Sequence, residues 1–149
     1  MPAFKQVRDV FDLSRRAHRH LSALYERLAH QADRQRVKLL LDYLSRHEAN
    51  LQSCLQRCQQ DLSAKLLDVW LQYVPEALPW AEVDALLATP DITVDQVTDL
   101  ALRLDAALVE FYAELAENAE SREVRELFEN LRQMAVAEEV SLKRDADEL

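Results

Sequence analysis

Two stretches of this chain can be laid over one another without a gap, residues 10–51 on residues 97–138, an offset of 87. Val10, Asp12, Leu13, Arg16, Leu21, Tyr25, Leu28, Ala29, Ala32, Val37, Leu40 and Leu44 all recur 87 positions later. These identities fall mostly on one helical stripe, so what repeats is a packing face. The densest phrase is Leu24-Tyr25-x-x-Leu28-Ala29-x-x-Ala32 against Phe111-Tyr112-x-x-Leu115-Ala116-x-x-Ala119. Such a chain is expected to use one structural unit twice.

The unit reads as two helices. In the first copy Val7, Phe11, Ser14, His18, Leu21, Tyr25, Leu28 and Ala32 step by three and four, and Val37, Leu40, Leu44, Glu48, Leu51, Leu55 and Cys58 do the same after a polar break. In the second copy the stripes are Val94, Val97, Ala101, Asp105, Leu108, Tyr112, Leu115 and Ala119, then Val124, Leu127, Leu131, Ala135, Glu138 and Leu142. Glycine is absent from all 149 residues, which removes the usual residue for tight β-turns and phosphate loops. The expected class is all-α. Asp33 and Ser121 are expected to cap the returning helices, and Thr93 with Gln96 to form a capping box. The links near 33 and 120 are short, so each pair is an antiparallel hairpin.

The expected organisation is one domain, with repeat one at about 5–60, a crossover at about 61–92 and repeat two at about 93–146. Pro75 stops the helical pattern, Pro79-Trp80 opens a short helix and Thr89-Pro90-Asp91 ends it. A connection this long makes the second and third long helices parallel, unlike a simple up-down-up-down bundle.

The net charge of −9 disfavours nucleic acid as a partner. Residues 1–50 hold ten Lys/Arg against six Asp/Glu, whereas residues 75–149 hold six against nineteen. Oppositely charged halves suit docking on each other or on a second copy. Arg15, Arg16 and Arg19 with His18 and His20 can be read as a phosphate patch or, more simply, as a solvated helix face. No apolar run is long enough to span a bilayer and no signal peptide opens the chain, so a cytoplasmic protein without a membrane partner is expected. Cys54 and Cys58 read as small core residues in a reducing compartment, a disulfide or metal pair being the sharper alternative.

Within the apolar stripes each long helix offers one ionisable group: His18, Glu48, Asp105 and Glu138. Counting from the turn near 33, His18 and Glu48 are level. Counting from 120, Asp105 is level with Ala135, and Glu138 is one turn away. Tyr25 and Tyr112 lie two turns off, too far for direct contact on this count. Buried ionisable groups must pair, bind water or hold an ion.

On the phrases Leu24-Tyr25-Glu26-x-Leu28-Ala29 and Phe111-Tyr112-x-Glu114-Leu115-Ala116, the pattern Leu40-x-x-x-Leu44-x-x-x-Glu48 and the long crossover, the chain resembles the ferritin-like superfamily, rubrerythrin-type proteins in particular. The resemblance implies a four-helix bundle in which a Glu seven residues before each Tyr, with a Glu-x-x-His on the next helix, binds two irons. The first position is His18 in one repeat and Asp105 in the other. The Glu-x-x-His becomes Glu48-x-x-Leu51 and Ala135-x-x-Glu138. Only Glu48 keeps the family's ligand type in place, so the di-iron set is degenerate.

Two readings of the polar level follow. One is a structural knot, with His18 charged by Asp105 or Glu48 and Glu138 reaching water or Arg16 or Arg103. The other is a single Fe, Mn or Zn ion on His18, Glu48, Asp105 and Glu138. The functional expectation is a non-catalytic protein with an interaction or structural role, a homodimer or a binder of another protein. Its candidate contact surface is Val69, Trp70, Leu71, Tyr73, Val74, Leu78 and Trp80, which could equally pack on its own bundle. A redox metalloprotein and an apolar ligand cavity beside Leu51 and Ala135 are the alternatives.

Overall fold

The computed structural model describes residues 5–76 and 78–148. Along the chain run β1 (Lys5–Gln6), α1 (Val7–Gln31), α2 (Gln35–Asp61), α3 (Ala64–Leu67), β2 (Trp70–Leu71), α4 (Trp80–Leu87), α5 (Val94–Glu117) and α6 (Arg122–Glu148). The four long helices are the two predicted hairpins, and their stripes face inward as the periodicity requires. Val7, Phe11, Leu21, Tyr25, Leu44, Leu55, Val97, Tyr112, Leu115 and Leu142 are all essentially buried.

Cross-helix contacts give the directions. His18 meets Glu48 and Ser22 meets Ser45, so α1 and α2 run oppositely. Ser14 meets Tyr112, and Tyr25 lies near Asp105, so α1 opposes α5. Tyr43 meets Asp145 and His47 meets Glu138, so α2 opposes α6. Hence α2 and α5 are parallel, as the crossover demands. Close approach of α1 and α2 is fixed by two small residues: Ser22 and Ser45 each donate a hydroxyl to the other's backbone carbonyl, at 2.8 and 2.9 Å.

Local signals set most helix ends. Thr93 accepts from the Gln96 backbone N–H and Gln96 from that of Thr93, the expected capping box. Ser121 accepts from the Val124 N–H at 3.2 Å. Asp33 does not cap: α2 starts one residue later, behind Arg34, with no side-chain cap. A box unread in the sequence opens α1, where Gln6 and Asp9 exchange hydrogen bonds.

The crossover is less helical than its composition suggests. After α2, Ser63 caps the one-turn α3, and Trp70–Leu71 then pairs antiparallel with Lys5–Gln6. Nothing in the sequence announces this two-residue ribbon, since runs so short carry no periodic signal. It places Leu71 inward and Trp70 outward, consistent with strand alternation. Val83 on α4 seals the opposite end of the core. Asp91, at φ 51°, makes the turn into α5 in the left-handed region, which Asp tolerates better than most residues.

The apolar core is in two parts. One gathers Val7, Phe11, Leu55, Leu108, Phe111 and Phe128 with their neighbours. The other gathers Leu21, Tyr25, Leu40, Leu44, Leu104 and Leu142. In sequence, His18, Glu48 and Asp105 fall between the two sets on their respective helices, so a polar level divides the core.

A candidate site at the polar level of the bundle

His18, Glu48 and Asp105 are 3%, 3% and 4% exposed, as buried as the leucines around them. Each is there because a helix that repeats its inward face every three or four residues carries whatever occupies that register. Helices α1 and α2 set His18 opposite Glu48, with Nδ1 and Oε2 2.5 Å apart sharing one hydrogen. The bond lies inside a low-dielectric core, where a hydrogen bond is stronger than in water.

Asp105 does not join that pair by a hydrogen bond. Its Oδ2 is buried with no partner among the described residues. Burial, and then the charges of Glu48, Glu139 and Glu138, push its carboxyl up to about 8. At neutral pH Asp105 is therefore mostly an uncharged acid. The Tyr25 hydroxyl, also unpartnered, is held well above its ordinary value by burial and by Glu48 and Asp105. Tyr112 is pushed up to about 12 by burial and meets Ser14 at 3.3 Å.

Glu138 behaves differently from the expectation. Its carboxylate turns to His47, Oε2 to Nδ1 at 3.5 Å, and is 37% exposed. Arg103 is occupied by Glu82 and Asp99, and the Arg16 Nε by the Asp12 carbonyl, so neither arginine satisfies Glu138. Tyr112 bonds none of these groups directly, but it lines one small cavity with His18, Leu51, Asp105, Ala135 and Glu138. That cavity is about 10 Å³, room for roughly one water or one ion.

His47 is the residue the sequence reading missed. It stacks on Tyr43, with ring centroids 6.1 Å apart, and its Nε2 is buried without a partner among the described residues. The signal was present: Leu40, Leu44, His47 and Leu51 form a second apolar row by steps of four, three and four. A row through Glu48 hid the one through His47, although a buried helix presents both.

A pair of irons does not fit these side chains. The two positions that should supply further ligands hold Leu51 and Ala135, which have no donor atoms. The remaining groups divide into a His18–Glu48 pair, a His47–Glu138 pair and a lone Asp105. Among the described residues no three His, Cys, Asp or Glu side chains form a group able to hold a metal ion. Nor do Cys54 and Cys58 form one, both being free thiols and half-buried.

No known protein family and no curated protein matches the chain. Among solved structures, a Thermotoga maritima protein provisionally described as a ferritin-like diiron-carboxylate protein is similar, with a TM-score of 0.61 at 14% identity. The match covers 99% of this chain and 99% of that one. At so low an identity the likeness is one of fold. The chain has the ferritin-like fold, and none of its described helices is long and apolar enough to cross a membrane.

Proposed function

We propose that this protein is a non-catalytic ferritin-like bundle that acts by binding protein, with the polar level serving as structure. The observation that carries this is the pairing of donors: His18 is bonded to Glu48, Glu138 is turned to His47, and Leu51 and Ala135 occupy the positions of missing ligands. A carboxylate bridge between two metals needs free oxygens at one height from both hairpins. Here one hairpin's carboxylate is engaged and the other's Asp105 is mostly neutral.

The contact face is the outward side of the crossover. Leu71 packs into the core, and Val69, Val74 and Leu78 lie against it, so the predicted surface is reduced. Trp80 sets its ring edgewise on His20. Trp70 and Tyr73 remain 61% and 51% exposed, and exposed aromatics side by side favour partner binding. The test is oxidation of ferrous iron in air. The purified protein is expected to match a buffer control, and a burst of ferric product proportional to protein would overturn the reading.

A second reading, a single Fe, Mn or Zn ion on His18, Glu48, Asp105 and Glu138, is favoured by one observation. His18, Asp105 and Glu138 line the same cavity, and Asp105 has an oxygen to spare. It requires Glu138 to leave His47 and Asp105 to ionise.

A further inference from the structure

Between β2 and the α5–α6 turn lies a groove of about 200 Å³, floored by Leu71, Leu115, Ala119 and Val124 and flanked by Trp70 and Tyr73. Its rim carries Glu120, and the Tyr73 hydroxyl donates to Glu114 at 3.4 Å. Aromatic rings beside carboxylates attract cations, and a guanidinium stacks on such rings while bonding the acid. The chain carries a matching surface elsewhere. Asp12, Arg15, Arg16 and Arg19 lie together on the outer side of α1. Arg16 and Arg19 are exposed, and Arg19 makes no ion pair among the described residues.

The hairpin α1–α2 is the basic half of the molecule, and α5–α6, which lines the groove, is the acidic half. Resting on the reading of Trp70 and Tyr73 as a contact face, we propose that the groove of one copy receives the arginine face of α1 from a second copy. Groove and arginine face are different surfaces, and one groove taking one arginine face makes a head-to-tail contact. Charge complementarity between the halves supplies the steering and is weakened by salt.

The test uses two surface variants and sedimentation velocity. The groove variant is Trp70→Ala with Glu120→Lys; the face variant is Arg16→Glu with Arg19→Glu. Wild type is expected to form species larger than a monomer as concentration rises at low salt, and each variant alone to associate at least about tenfold more weakly. Mixed in equal amounts, the two variants are expected to give a discrete one-to-one dimer. The groove variant's intact α1 face then meets the face variant's intact groove, and the other two surfaces are blocked. Circular dichroism checks that both variants are folded, and Arg16→Gln with Arg19→Gln replaces the charge reversal should that variant unfold. A mixture that stays monomeric while wild type associates would overturn the head-to-tail contact. A wild type monomeric at every concentration would overturn the choice of a second copy, and it would leave the non-catalytic reading to the iron-oxidation assay.

Discussion

Replacing Asp105 by Asn should make the protein more stable at alkaline pH and leave it nearly unchanged below about pH 4. Asp105 is raised from an ordinary 3.8 to about 8, first by burial and then by Glu48, Glu139 and Glu138. A group raised on folding binds more protons folded than unfolded between the two values. The stability it supports is complete below about pH 4 and is lost as pH climbs towards 8. Each pH step of one between those values is worth about 1.4 kcal/mol, so the whole interval of about four units corresponds to about 6 kcal/mol. Water entering the small cavity relieves part of this, leaving about 2–4 kcal/mol to be read. Asn keeps the shape and cannot ionise. Urea unfolding of both proteins from pH 5 to 8.5 gives the difference curve, in which titrations common to the two cancel. The Asn variant should gain at least about 2 kcal/mol over wild type across that range. A flat difference would refute the reasoning, because it would mean that Asp105 titrates alike folded and unfolded.

Glu48→Gln should cost about 2–4 kcal/mol in the same assay, since it changes one partner of a fully buried bond to His18. Glu138→Gln should cost under about 1 kcal/mol, its carboxylate being longer-ranged to His47 and open to solvent. Thr93→Ala should lower thermal stability by about 1 kcal/mol through loss of the capping box, whereas Asp33→Ala should be neutral because Asp33 caps nothing. Trp70→Ala should leave the melting temperature within about 1 °C of wild type, since an exposed ring carries little folding energy.

The repeat and its stripes made the four long helices legible, including the height at which His18 meets Glu48, because helix rise is constant and hairpin turns are short. The crossover was legible only where proline or a cap marks it. Its ribbon depends on Trp70 and Leu71 finding Lys5 and Gln6 across the fold, a long-range pairing without local trace. At the polar level, the sequence identified which helices carry ionisable groups but not how those groups choose partners. That choice depends on side-chain reach: Glu138 sits one turn from Asp105, and His47 offers it a nearer nitrogen.

The most direct test of a ferritin-like bundle without a di-iron centre is elemental analysis of protein purified from iron-, manganese- and zinc-supplemented medium. The account predicts well under one metal ion per chain. Two irons per chain, released by Glu48→Gln with Asp105→Asn, would contradict it.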